Sequence, residues 1–360
     1  MRPRQVIPGR SYFITRRCTQ RQFLLRPDDK VNQAIKYCLA EAAARFGITV
    51  LWFIALSNHT HYAVHDPHGV YPAFMAHFHK MTAKALNAKW GRFENLWSSG
   101  EPSVVELVGP RDLFDKMIYS LANALHQHLV ARAHLWPGVS SLVAQLLDKT
   151  ERIRRPHWFF AKDGSMPEWV ELRFGRPPGF EHLSHEEWAE KIRKAIAGEE
   201  EKAAEQRKTT GMPVLGVRAI KAQSPFDTPA TREKRFGLKP RVACRNKWAR
   251  VAALRRNKEF EAAYRAAFER RRRGDVDVVF PFGTYQLRVL GLVRVAPPGR
   301  RRDAAGAEPP VQVEPPVQVE PPVQVEPPVQ VEPPVQVEPP VQVEPPVRVE
   351  PPVRVEPPPA

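Results

Sequence analysis

The stretch Ser57-Asn58-His59-Thr60-His61 joins an apolar run, Ile48 to Leu56, to Tyr62-Ala63-Val64. On a strand, side chains at i and i+2 share a face, so both imidazoles point the same way. Neutral imidazole is the commonest metal ligand in proteins, and such a pair can chelate a divalent cation. Further on, Met117-Ile118-Tyr119-Ser120-Leu121-Ala122-Asn123 places Tyr119 and Asn123 four residues apart, on one face of a helix. The Asn123 amide oxygen is then available as a third ligand beside His59 and His61. A cation there would polarise a phosphate and stabilise developing oxyanion charge. Tyr119 would attack phosphorus and form a covalent phosphotyrosine. That bond keeps the energy of the broken phosphodiester, so the strand can be rejoined. The plainer alternatives are strand-surface histidines, a packed helix tyrosine and a helix-surface amide.

These residues need elements to bring them together. Ser11–Thr15 reads as a strand ending in Arg16-Arg17, and Pro27-Asp28-Asp29 opens a helix that runs to Arg45, before Gly47. Strands follow at about 48–56 and 59–65, with a tight turn at Ser57-Asn58. Pro72 to about Trp90 is a second helix, Ser103–Val108 a fourth strand, and Asp112 to about Ala133 a third helix. The order β-α-β-β-α-β plus a helix predicts an α+β fold with a ferredoxin-like core and an antiparallel sheet, closed by a catalytic C-terminal helix. Many functions share that fold, so it does not choose among them.

Residues 1–145 form this expected catalytic domain. Residues 146–300 read as a basic, mainly helical accessory domain. It has helices at about His185–Lys208 and Lys247–Arg273, and a β-hairpin made of Val276–Phe280 and Thr284–Leu290. From Glu308 the chain repeats Glu-Pro-Pro-Val-Gln-Val and then Glu-Pro-Pro-Val-Arg-Val. Two prolines per hexapeptide remove backbone donors and exclude helix and regular sheet, so residues 301–360 are expected to be a disordered tail.

The tail contributes −7 to a chain total of +16, leaving +23 on residues 1–307. A body that basic suggests a polyanionic partner, most often nucleic acid. Arg16 and Arg17 are candidate phosphate contacts, as are Lys80 and Lys84, one turn apart on the second helix. No apolar run reaches the length of a membrane span, and the start lacks the apolar region of a signal peptide, so no membrane partner is expected. Three widely spaced cysteines (Cys18, Cys38, Cys244) argue against a disulfide framework and point to the cytoplasm, where a DNA partner implies association with the nucleoid. A second pair, His77-Phe78-His79, falls in a predicted helix, where i and i+2 diverge.

Asn58-His59-Thr60-His61, followed 58 residues after His61 by Tyr119 and then Asn123, resembles the single-tyrosine HUH transposases, and among them the REP-associated tyrosine transposases. Tyr12–Arg16, Phe23–Arg26, Asn95-Leu96-Trp97 and Trp136–Ser141 match further family stretches in order, so the resemblance covers roughly residues 5–142. It implies cleavage of single-stranded DNA at a hairpin-flanked site, a 5′-phosphotyrosine, a free 3′-hydroxyl, and Mg²⁺ or Mn²⁺. A homodimer and a monomer are both open. Two departures stand out: Phe13 where the family often has His, and Asn123-Ala124 where it often has Asn-Pro. The alternative function is a non-catalytic protein that binds hairpin DNA or structured RNA on the same fold. A two-histidine phosphoesterase would need a second His-x-Thr/Ser motif, and no convincing one is found.

Overall fold

The computed structural model describes residues 3–231 and 240–298; the repeat tail lies outside them. The central sheet has five strands in the order β2-β3-β1-β4-β7: β1 (Arg10–Arg17), β2 (Thr49–Leu56), β3 (His59–Asp66), β4 (Ser103–Leu107) and, from the second half of the chain, β7 (Val242–Ala243). β1 lies antiparallel between β3 and β4, with Thr15 opposite His61 and Arg17 opposite His59. β2 pairs antiparallel with β3 across the Ser57-Asn58 turn. β7 adds parallel to β4 through Glu106 and Leu107, so the sheet is mixed, not purely antiparallel as expected. Nothing local to Val242-Ala243 identifies so short a strand.

Each face of the sheet carries its own core. On one face, helices α1 (Asp29–Phe46) and α2 (Tyr71–Trp90) cover Tyr12, Ile14, Phe53, Tyr62 and Val64. α1 starts where the Asp28 carboxylate accepts from the Val31 N–H at 2.8 Å, and it stops at Gly47, whose φ of 62° suits a residue without Cβ. On the other face, Phe13, Trp52, Ile54, Ala63 and Val105 meet α3 (Pro110–Leu121) and α6 (His185–Thr210). The alternation along β3 sends Tyr62 and Val64 under α1 and α2, and it turns His59, His61 and Ala63 toward the α3 side.

The third helix is shorter than its apolar spacing suggests. α3 stops at Leu121, Ala122 adopts φ −85° and ψ 0°, and a single turn, α4 (Asn123–His126), follows. His128 then takes φ 52°, and its carbonyl accepts from Leu215, so the backbone leaves the helix for a tertiary partner. The stretch after α4 runs back to the free edge of β2. Ala55 N–H donates to Val139, Ser141 N–H donates to Phe53, and the Trp136 indole donates to the Ala55 carbonyl at 2.9 Å. This covers an otherwise open strand edge.

The second half wraps this core. A short helix, α5 (Leu142–Leu146), leads to the ribbon β5 (Glu151–Arg154) and β6 (Trp169–Leu172), whose Ile153, Val170 and Leu172 pack with α1. After α6 come α7 (Val217–Ala222) and the long basic helix α8 (Lys247–Arg272). The expected hairpin at 276–290 does not form. β8 (Val279–Phe280) pairs parallel with β9 (Arg294–Val295), and Gln286–Val289 is a helical turn, α9. Phe280 and Val278 pack with Ala267 of α8, and Leu287 joins the same cluster, which the alternation pattern cannot foresee. Among the described residues no helix is long and apolar enough to cross a membrane.

Candidate active site

His59 and His61 lie on β3 with ring centroids 4.7 Å apart and planes at 85°. Two imidazoles on one divalent ion, at nitrogen–metal distances of about 2 Å, put their centroids roughly 4–5 Å apart, so the spacing suits a shared cation. Each ring is bonded at its Nδ1 atom. Asn58 Nδ2 donates to the Arg21 carbonyl at 3.2 Å, which fixes the amide and turns Oδ1 toward His59 Nδ1 at 2.7 Å. An amide oxygen only accepts, so His59 carries its proton on Nδ1 and keeps the Nε2 lone pair. His61 Nδ1 is bonded to Thr15 Oγ1 at 3.0 Å, and where the hydroxyl accepts, the His61 Nε2 lone pair is open as well. Burial, first, and then Arg17 and Arg21 lower the His59 pKa to about 4. Burial, His59 and Lys116 hold His61 well below its ordinary value. Both rings are therefore neutral at pH 7, as metal ligation requires.

The pair opens into a cleft of about 540 Å³ lined by Thr15, Arg17, Arg21, Asn58, Gln127 and Gln223 among others. Arg17 reaches it because it sits opposite His59 in register, whereas Arg16, one residue away on the strand, turns to the α2 side beside Tyr62 and Cys18. Lys80 and Lys84 are exposed on α2, across the sheet from the histidines. Of the four candidate phosphate contacts, Arg17 is the one placed in the cleft.

Tyr119 and Asn123 do not share an environment. Tyr119 is 47% exposed, whereas Asn123, beyond the break at Ala122, is 4% exposed, and its Oδ1 makes no hydrogen bond. Both lie outside the residues lining the cleft, which Gln127, one turn after Asn123, does line. The Tyr119 ring lies 5.8 Å from the ring of His126, whose Nε2 bonds Glu199 of α6 at 2.8 Å. Toward the sheet, Lys116 Nζ stands 4.6 Å from the Tyr119 centroid and 5.3 Å from that of Phe13. Phe13 stacks on His61 at 5.6 Å. A chain of contacts, Tyr119–Lys116–Phe13–His61, thus joins helix to strand.

Sequence reasoning passes over Lys116, Gln127 and Gln223. Lys116 had a signal, since it falls one helical turn before Tyr119. Gln223 had none, because residues 223–231 reach the cleft only through long-range bonds such as Phe23 N–H to the Asp227 carbonyl at 3.0 Å.

A divalent cation fits this set in part. Among the described residues no group of three or more His, Cys, Asp or Glu side chains converges as a metal site. Any cation on His59 and His61 would draw its remaining ligands from amide, water or phosphate oxygens, and the unbonded Asn123 Oδ1 is such an acceptor.

No protein-family model matches the chain, and no curated protein matches it. Among solved structures, the chain is similar to a REP-associated tyrosine transposase bound to a REP hairpin. That match has 16% identity and a TM-score of 0.35, and it covers 46% of this chain and 94% of that one. It is also similar to a candidate transposase from Deinococcus radiodurans, at 18% identity and a TM-score of 0.24, over 29% of this chain and 84% of that one. Both scores are low, and the function rests on the chemistry of the cleft.

Proposed function

We propose that the protein is a transposase-type endonuclease and strand transferase. It would act on single-stranded, hairpin-containing DNA through a 5′-phosphotyrosine at Tyr119. The observation that carries this reading is the histidine pair, which is neutral, has both Nδ1 atoms engaged, and lies in a basic cleft on the face that α3 covers. The antiparallel order β2-β3-β1-β4, with α1 and α2 on one face, supports a ferredoxin-like core, here extended by β7.

On this reading residues 1–145 carry the chemistry and residues 146–300 complete the cleft walls. His59 and His61, with Asn123, would hold Mg²⁺ or Mn²⁺, which when bound supplies charge stabilisation at the phosphate. Arg17 and Arg21 would seat the DNA backbone beside His59. Tyr119 is exposed enough to meet a strand lying over α3.

Single-stranded oligonucleotides carrying any hairpin-forming inverted repeats found beside the gene, incubated with Mn²⁺ and run on a denaturing gel, test the reading. A covalent protein–DNA adduct forms with the wild type and not with Tyr119→Phe. DNA binding that is steeply salt-dependent, with no adduct under any divalent metal, would establish the non-catalytic binding protein instead.

A further inference from the structure

Lys116 occupies the gap between the nucleophile and the histidine pair. Its Nζ rests on the faces of two rings, Tyr119 at 4.6 Å and Phe13 at 5.3 Å, and Phe13 itself stacks on His61. The Ser120 hydroxyl donates to the Lys116 carbonyl at 2.7 Å, in the turn that also carries Tyr119. Burial lowers the pKa of the half-buried ammonium, and its charge lowers that of His61. No carboxylate pairs with it among the described residues; the acidic neighbours on α3, Asp112 and Asp115, are engaged by Arg245. An aromatic face attracts a cation but takes up none of its three N–H donors. A half-buried lysine with no carboxylate partner can hold an anion, and on the phosphotyrosine reading the anion beside Tyr119 is a phosphate.

We propose that Lys116 is a catalytic residue. Its ammonium holds a non-bridging oxygen of the scissile phosphate between Tyr119 and the His59–His61 pair and stabilises the charge that builds there. This deepens the phosphotyrosine reading and rests on it. In the step, the Tyr119 oxygen–phosphorus bond forms and the phosphorus–O3′ bond breaks. The phenolic proton passes to solvent, and the departing 3′ oxygen takes a proton from solvent to become the free hydroxyl. Lys116 keeps its proton throughout, and rejoining runs the same sequence in reverse.

The test compares wild type, Lys116→Met and Lys116→Arg, each confirmed folded by thermal melting. Single-turnover adduct formation is measured on a hairpin-flanked oligonucleotide, and DNA affinity is measured separately without metal. Lys116→Met keeps affinity within about twofold but forms adduct roughly a hundredfold more slowly, the usual loss for one donor to a developing oxyanion. Lys116→Arg recovers most of the rate. On an oligonucleotide with a methylphosphonate at the scissile position, the gap between wild type and Lys116→Met narrows for the stereoisomer whose methyl replaces the oxygen that Lys116 would hold, because that oxygen is gone. An undiminished Lys116→Met rate, or an equal defect on the phosphodiester and on both methylphosphonate stereoisomers, would overturn the role of Lys116 while leaving the phosphotyrosine reading intact. Absence of any wild-type adduct would overturn both.

Discussion

Two of the three His-x-His motifs in the chain, one on a strand and one inside a long helix, are treated by the fold in opposite ways. His59 and His61 stand on strand β3, where a period of two puts them on one face, with rings 4.7 Å apart, lining a cleft. His77 and His79 stand on helix α2, where the same spacing turns them roughly 200° apart. His77 is spent on Glu41 of α1 at 2.6 Å, and His79, fully interior, bonds the Tyr62 hydroxyl at 2.9 Å while its carbonyl accepts from Trp97. Identical residues at identical spacing become a candidate ligand pair in one element and two packing groups in the other. The deciding quantity is the backbone period, and the partners that follow from it complete the difference.

This contrast can be broken or sharpened by experiment. The largest effect is expected at the proposed nucleophile, Tyr119. Tyr119→Phe lowers adduct formation by at least about a thousandfold, and His77→Ala leaves it near wild type, both read from single-turnover gels. Next, His61→Ala weakens Mn²⁺ binding by about a hundredfold or more, measured by electron paramagnetic resonance titration, whereas His79→Phe leaves it unchanged. Equal losses from the two would end the distinction between the pairs.

A smaller effect comes from the side chain that holds His59 in place. Asn58→Ala removes the acceptor that orients His59, and it costs between about tenfold and a hundredfold in Mn²⁺ affinity. His79→Phe costs stability instead, about 1–3 kcal/mol in urea denaturation, because it strands the buried Tyr62 hydroxyl.

The last test is in pH. His59 has a folded pKa of about 4 and His79 of about 3, both lowered first by burial. Between pH 6.5 and about 4 the unfolded chain takes up protons that these folded rings refuse, so stability falls as pH falls through that window. On the proposed reading Mn²⁺ would bind only the neutral strand pair, so its addition is expected to raise the melting temperature near pH 7, with a gain that shrinks toward pH 4. Chelation of the metal returns the metal-free melting curve. A melting temperature constant from pH 7 to pH 4 would contradict the burial of these rings.

The two halves of the chain differ in how much of them could be read in advance. Strands β1 to β4 and helices α1 and α2 emerge from apolar spacing bounded by Asp28, Gly47 and the Ser57-Asn58 turn, because each buries a long face against one partner layer. Past Ala122 that legibility falls. The chain leaves α4 at His128 and Leu129 through bonds to Leu215 and Gly216, β7 is two residues long, and the segment at 276–290 trades an expected hairpin for a parallel pairing with Arg294-Val295. Short elements bury too little of their own surface to write a period into the sequence.

The site divides along the same line. Sequence alone determined that His59 and His61 face together, since strand alternation is a local property of the backbone, and that a Pro-Pro pair in every hexapeptide leaves the tail without helix or sheet signals. Tertiary structure decided that Arg17 and not Arg16 meets the cleft, because register with β3 sets which side of β1 carries which residue. It decided that Tyr119 is exposed while Asn123 is buried, and that Lys116 and Phe13 stand between Tyr119 and His61. Those facts depend on how α3 lies on the sheet, which long-range packing fixes and no local spacing records.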